Sequence, residues 1–338
     1  MKEHGRLFEG IREMLATLAK DGHEMVICGM GSKEYIETVL EHCAITGYFK
    51  AVYHRIEGLS KTQVVKTILS DMNLDSNQCL MVGDSITDIT AAKDNDIPFI
   101  GVSYGYGADD ISDADALVDS VEQLQAEIYR HIVFTRIEKD IQSFERPIVI
   151  GVNGVDTSGK TVFSLSLCNY LQRRGIPTTL IHTDDFHNPR SIRYTDASPR
   201  GYLNYAFDLD KLAALIRELK QNPASITLSL LDLDADTYSN EILFESNENT
   251  IIIIEGVLLY RQPIDELIDY RVFLDVGFDE VISRAQRRDV PKHGESFLQR
   301  YMERYIPAQQ IYLNDYTPKE RCDIVVDNSD YLKPVISI

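Results

Sequence analysis

No stretch of this 338-residue chain approaches the ~20 consecutive uncharged apolar residues that a membrane-spanning helix needs. The N-terminal MKEHGRLFEG has none of the apolar core that marks a secretory signal peptide. Five cysteines (Cys28, Cys43, Cys79, Cys168, Cys322) lie far apart, are odd in number and lack CxxC spacing. That excludes a disulfide framework and a cysteine zinc site, and they read as buried thiols in a reducing, cytoplasmic compartment. Positive charge is scarce too: 34 Lys and Arg face 53 Asp and Glu, a formal net charge of −19. The deficit is shared, with 11 cations against 22 anions in residues 1–130 and 23 against 31 in the remainder. Neither part offers the broad basic surface on which non-specific nucleic-acid binding depends. The expected partner is therefore a small molecule, with no nucleic acid and no membrane. Internal repeats and low-complexity tracts are also absent.

What is present describes a folded α/β protein. With 44% hydrophobic and 26% charged residues, the composition is that of a globular chain, and its length fits two domains. Short apolar strands alternate with amphipathic helical stretches throughout, the signature of parallel sheets. Strands are expected near Glu24 to Cys28, Ala51 to His54, Cys79 to Val82 and Pro98 to Val102. Val121 to Phe144 is polar and helical, without Gly or Pro, and sets the boundary near residue 131. The expected organisation is two doubly wound parallel-sheet domains, 1–130 and 131–338.

The most informative segment is residues 148–161, IVIGVNGVDTSGKT. An apolar run, Ile148 to Val152, leads into Gly154-Val155-Asp156-Thr157-Ser158-Gly159-Lys160-Thr161, and Val162 to Leu171 can open a helix directly afterwards. This is the G-x-x-x-x-G-K-[ST] phosphate loop in the strand–loop–helix setting it requires. Its glycines let backbone N–H groups turn inward around a phosphate, and the helix N-terminus adds the positive end of a dipole. Lys160 supplies charge to the β and γ phosphates, and the Thr161 hydroxyl suits Mg²⁺. ATP and Mg²⁺ are the expected cofactors.

Carboxylates follow where such a site needs them. The strand TTLIH ends in Thr183-Asp184-Asp185-Phe186-His187-Asn188-Pro189-Arg190, facing the loop across the crevice, so Asp184 can orient or deprotonate a hydroxyl. TIIII, residues 250–254, suits a strand buried on both faces, and Glu255 at its end is a metal-ligand candidate. Arg284 and Arg288, with Arg287, lie in VISRAQRRDV after the strand YRVFLDV; four residues apart, the first two share a helix face and can close over transferring phosphates. Arg300 and Arg304 in FLQRYMERYIPAQQIYL are weaker candidates of the same kind.

In this order, IGVNGVDTSGKT, TDDFHNPR, IIIIEGVLLY, SRAQRRD and RYIPAQQIYL resemble the uridine kinase family of phosphate-loop kinases, over about Arg146 to Leu332. The resemblance implies a catalytic carboxylate at Asp184, a metal-associated glutamate at Glu255 and lid arginines at Arg284 and Arg288. The acceptor segment departs from the family pattern: Leu231 stands for its tyrosine, Asp236 for its histidine and Tyr238 for its arginine, and Tyr202 lies nearest the ribose-binding aspartate. The expected activity is ATP-dependent phosphorylation of a nucleoside such as uridine. The alternatives are a non-nucleoside alcohol (pantothenate or a sugar phosphate), or a nucleotide-binding switch without transfer.

In the first domain, CLMVGDSITDITAAKDNDIPFIGVSYG places Gly83-Asp84-x-x-x-Asp88 at the end of a strand. Two such carboxylates suit Mg²⁺, and Lys61 opens a helix upstream, where its ammonium can meet a phosphate. With LFEGIREMLATL and SKEYIETVLEHCAITGYF, this resembles the haloacid dehalogenase-like phosphatases from about Leu7 to Leu124. The family's nucleophile, the first Asp of a DxDx[TV] strand, has no counterpart because the chain begins after it, so an N-terminally incomplete chain is one expectation. Gly29 occupies the position of the usual phosphate-binding hydroxyl, with Ser32 nearby. The implied domain is incomplete, metal- or anion-binding at most, and without phosphatase activity.

Overall fold

The computed structural model describes residues 6–107, 111–221 and 225–337. It divides into two compact units, Met1–Ile128 and Tyr129–Ile338. Both are α/β with parallel strands.

Unit 1 runs α1 (Ile11–Lys20), β1 (Met25–Cys28), α2 (Lys33–His42), β2 (Phe49–Tyr53), α3 (Lys61–Met72), β3 (Met81–Gly83), α4 (Ile86–Lys93), β4 (Phe99–Val102) and β5 (Ala116–Val118). A 20-residue helix, α5 (Val121–Asp140), carries the chain onward. The strands do not form one sheet. β1 pairs only with β2, and β3–β4–β5 form a separate parallel sheet, so β1 and β3 each keep an unpaired edge among the described residues. Side chains bridge the break instead: Val65, Ile89, Ala92, Ile97 and Phe99 form a core against which Cys28 of β1 and Met81 of β3 both pack. α3 is well started, because Ser60 and Gln63 close a reciprocal capping box, and it buries Val64, Val65 and Ile68 along one face. The exposed edge is apolar in part, with Val82 40% accessible.

Unit 2 continues with β6 (Ile148–Gly154), α6 (Lys160–Arg173), β7 (Thr178–His182), α7 (Arg190–Arg193), α8 (Pro199–Tyr205), α9 (Leu209–Gln221), β8 (Ser225–Asp232), β9 (Thr237–Glu245) and β10 (Ile251–Gly256). Then follow β11 (Tyr270–Asp275), α10 (Phe278–Arg288), α11 (Val290–His293), α12 (Glu295–Arg300), α13 (Ile306–Tyr316), β12 (Ile324–Asp327) and β13 (Val335–Ile336). Six strands form one sheet in the order β13-β12-β11-β6-β10-β7, parallel except for β13. The central strands β6 and β10 are buried along their whole length, as strands covered on both faces must be. One face packs on Val133, Phe134, Ile137, Leu167 and Leu171 of α5 and α6, and the other on Leu212, Leu215, Ile216 and Leu219 of α9. Beside this sheet, β8 and β9 form an antiparallel hairpin. Among the described residues, no helix is long and apolar enough to cross a membrane.

Candidate functional site

The loop Gly154–Thr161 leaves the carboxyl end of β6, the central strand, and runs directly into α6. Two residues on it take left-handed backbone angles, Thr157 at φ 55° and Gly159 at φ 91°. At Gly159 this angle and a near contact both argue for glycine, since a Cβ there would lie 2.8 Å from Asn328 Nδ2. Asn328, after β12, donates to Ser158 O at 2.7 Å and so braces the loop from outside. Lys160 is 8% exposed and its Nζ donates to Val155 O at 2.8 Å, folding over the loop.

Glu255 is 4% exposed at the end of β10, in register with His182 of β7 on one side and Val152 of β6 on the other. Its Oε1 accepts from Thr161 Oγ1 at 2.9 Å and from His182 Nδ1 at 2.8 Å. Burial pushes this carboxyl up, but the His182 hydrogen bond, the Lys160 charge and the Thr161 hydroxyl together hold it below the ordinary glutamate range. His182 is raised in turn, chiefly by its hydrogen bond to Glu255. Asp184 and Asp185 lie on the 3-10 turn Thr183–Phe186 that follows; Asp184 is exposed, and burial raises the Asp185 carboxyl.

These groups fit a nucleotide with a hard cation. The hydroxyls of Ser158 and Thr183 are buried without a hydrogen-bond partner, one inside the loop and one beside Glu255's strand. Orphaned polar atoms of this kind call for a ligand or water. Beside Glu255 the Thr161 hydroxyl is an oxygen donor of the kind Mg²⁺ takes, and Mg²⁺ needs only one or two carboxylates when phosphates supply the rest. This agrees with the finding that, among the described residues, no three His, Cys, Asp or Glu side chains converge on one point.

The arginines separate. Arg284, expected over the phosphates, spends its guanidinium on Thr157 O (3.1 Å), Asn328 O (2.7 Å), Ser329 O (3.0 Å) and Glu280 (2.9 Å). It therefore clamps the loop to the segment after β12. Arg288 is held by Asp289 and Tyr301 but lies close enough to Asp156 to pull on its carboxylate. Arg287 pairs with Glu280 at the surface, and Arg300 rests on the Phe297 ring. Arg304 stacks over Tyr194 (4.6 Å) and Tyr202 (5.7 Å) and donates to Arg193 O at 2.8 Å. At the acceptor segment, Leu231 is buried, Tyr238 carries Lys211 over its ring, and Asp236 accepts from the Arg190 N–H and faces Arg193 at 3.6 Å.

In unit 1 the two expected carboxylates are engaged by protein groups. Asp88 is 5% exposed and fully engaged: it pairs with Lys61 and accepts from both the Ser85 hydroxyl and the Ser85 N–H. Asp84 Oδ2 accepts from Gly107 N at 2.8 Å. Lys61 and Asp88 thus pair with each other. At Gly29 a Cβ would meet Ile36 Cδ1 at 2.7 Å, so a larger residue there would have to displace that methyl, and the Ser32 hydroxyl caps α2 at Tyr35 N.

Residues 149–329 match the model of the phosphoribulokinase/uridine kinase family. The chain belongs to that family. A uridine kinase of Limosilactobacillus reuteri is 31% identical over 192 residues, 55% of this chain and 85% of that protein. A solved structure described as a possible uridine kinase from Bacillus stearothermophilus is 26% identical with a TM-score of 0.48, covering 60% of this chain and 98% of its own. Residues 1–102 match the haloacid dehalogenase-like hydrolase model. There, a 5′-nucleotidase of Pseudomonas aeruginosa is 32% identical over 108 residues, 31% of this chain; the chain spans about half of that relative, 49%.

Two site residues escaped the sequence reading, His182 and Gln309. His182 stands two positions before Asp184 on a strand that was read correctly, but only the pairing of β7 with β10 sets it beside Glu255. Gln309 lies 153 residues from Asp156, which it grips.

Proposed function

We propose that unit 2 transfers the γ-phosphoryl group of ATP to a hydroxyl of a small molecule, foremost the 5′-hydroxyl of a nucleoside such as uridine. The observation that carries this reading is the convergence of Thr161, Glu255 and His182 at the mouth of a braced phosphate loop, with Asp184 across from it. In this scheme the loop amides and Lys160 hold the donor phosphates. Thr161 and Glu255 would hold Mg²⁺, which when bound supplies charge neutralisation on the phosphates. Asp184 accepts the acceptor's hydroxyl proton as the new O–P bond forms and the bond to the β-phosphate oxygen breaks. Arg288 stabilises charge on the transferring group, and Arg284 keeps the loop in place.

A second acceptor class, an anionic alcohol such as a sugar phosphate or pantothenate, is favoured by one observation. Arg193 and Arg304 both lie over Tyr194, and each has a buried Nε without a hydrogen-bond partner. Unpaired guanidinium N–H groups suit phosphate or carboxylate.

The test is ADP formation by the purified chain with Mg-ATP and a panel of nucleosides, sugar phosphates and pantothenate. Asp184→Asn is expected to bind ATP with unchanged affinity and to lose transfer by at least about 100-fold. Wild-type turnover in this variant, or ATP binding with no acceptor-dependent ADP, would overturn the reading.

A further inference from the structure

Two consecutive carbonyls of the phosphate loop are held from outside it. Thr157 O accepts from Arg284 of α10 at 3.1 Å, and Ser158 O accepts from the Asn328 side-chain amide at 2.7 Å. A trans peptide is planar and carries its C=O and N–H on opposite sides. Drawing these two oxygens outward therefore turns the next two N–H groups, those of Ser158 and Gly159, into the loop. The Ser158 N–H is met there by Val155 O at 3.2 Å, the same oxygen that Lys160 Nζ reaches. The Gly159 N–H has no hydrogen-bond partner among the described residues.

The sheet puts Asn328 where it can do this. The residue follows β12, whose ladder with β11 runs to the pair Asp275–Asp327, and its N–H donates to Asp275 O at 3.0 Å. Its carbonyl accepts from Arg284 at 2.7 Å, so its backbone is fixed on both sides and the residue is 8% exposed. The loop opposite is not in a relaxed conformation. Thr157 is β-branched at φ 55°, where such residues are rarely found, and Gly159 lies at φ 91°. Thr157 is kept there by Arg284 and by its own Oγ1, which donates to Val281 O at 3.2 Å. The direction of the loop N–H groups is thus imposed by side chains from α10 and the segment after β12.

We propose that Asn328 is a positioning residue for the donor triphosphate: its side-chain N–H aims the Ser158–Gly159 peptide so that phosphate meets the N–H and not the carbonyl. The proposal rests on the phosphate-loop part of the kinase reading and adds to it a residue 170 positions from Ser158. Polarity is the essential property. Asn and Asp share a shape, but an ionised carboxylate only accepts hydrogen bonds. At position 328 a carboxylate would repel Ser158 O and attract the Gly159 N–H, and a glycine peptide is free to turn over in response. The carbonyl would then face the phosphates.

The test is calorimetric binding, on the full chain with Mg²⁺, of a non-hydrolysable ATP analogue, its GTP counterpart and inorganic tripolyphosphate. Asn328→Ala is expected to weaken all three by about 10-fold and Asn328→Asp by about 100-fold, with losses that agree across the probes within about 3-fold. The larger loss for the isosteric change separates aiming from packing, since a packing role makes the truncation the worse of the two. That loss is expected to persist in high salt, which screens an added charge and leaves a turned carbonyl in place. Thermal unfolding checks that both variants fold; should Asn328→Asp fail, Asn328→Ala keeps the comparison between probes. A loss confined to the nucleotides, with tripolyphosphate spared, would place Asn328 at the base and overturn the proposal. A loss larger for Asn328→Ala than for Asn328→Asp, one abolished by salt, or one below about 2-fold in both variants would overturn it too. Binding of none of the three probes by the wild-type chain would instead remove the phosphate-loop reading itself.

Discussion

Both units end a parallel strand in acidic side chains beside a lysine, and the two clusters are used in opposite ways. In unit 1 the Lys61 ammonium closes directly on Asp88, and Ser85 takes the other oxygen, so the charges neutralise each other inside the protein. In unit 2 Lys160 turns to a loop carbonyl, while Glu255 is met only by a hydroxyl and an imidazole. The sheets differ in the same sense. β10 lies between two hydrogen-bonded neighbours that fix Glu255 at the crevice, whereas among the described residues β3 has a neighbour on one side only. A carboxylate held by a continuous sheet can stay available to a ligand. Beside a broken sheet, the nearest cation has taken it.

The strongest way to break this comparison is through the lysines. Lys160→Ala is expected to abolish phosphoryl transfer, at least about 1,000-fold, because no other cation replaces it in the loop. Transfer at a tenth of the wild-type rate would mean that the donor phosphates lie elsewhere. Lys61→Met is expected to leave transfer unchanged and to destabilise unit 1 by about 3 kcal/mol, because it leaves a buried Asp88 without its partner. Denaturant unfolding measures this, and a cost below about 0.5 kcal/mol would show the pair to be incidental. The wild-type chain is also expected to hydrolyse no generic phosphate ester at unit 1; hydrolysis lost on Asp84→Ala would reverse that.

A smaller effect separates the units by pH. His131 on α5 is pushed down to about 4, by burial and then by the Arg174 charge. Below an unfolded value near 6.5 the unfolded chain binds a proton that the folded chain refuses. Stability is therefore lost as pH falls from about 6.5 toward 4, by about 2 kcal/mol once partial exposure is discounted. Thermal unfolding of His131→Gln across this range is expected to be flatter than wild type; parallel curves would remove His131 from the acid response.

Contiguous features were legible in the sequence. The loop from Gly154 to Thr161 is one uninterrupted segment, and the strand Thr178–His182 matches its reading residue for residue. The α/β class follows from alternation and is what the structure has. What failed to appear depends on pairing between distant segments. Glu255 was read as lying just past its strand and instead forms part of it, which is why His182 reaches it. The Arg284 spacing suggested a shared helix face with Arg288, but Asn328 and Ser329, more than 40 residues on, take up its guanidinium. The hairpin β8–β9 and the antiparallel β13 were not anticipated, although Ser225 to Leu230 of β8 alternates polar and apolar residues as a half-buried strand does.

The break in unit 1's sheet also has a mechanical meaning. Load crosses a sheet through its hydrogen-bond ladder, which is stiff in shear, and no such ladder joins β1 to β3. Among the described residues the two parts meet instead through side chains, apolar ones such as Val65, Cys28 and Met81 in their common core and the Lys61–Asp88 pair above it. In unit 2 the ladder runs unbroken from β7 through β10 to β6 and its phosphate loop, so that sheet is expected to move as one plate. In unit 1 no ladder carries a displacement of β2 to β3 among the described residues, so under load the seam is expected to yield before either sheet does.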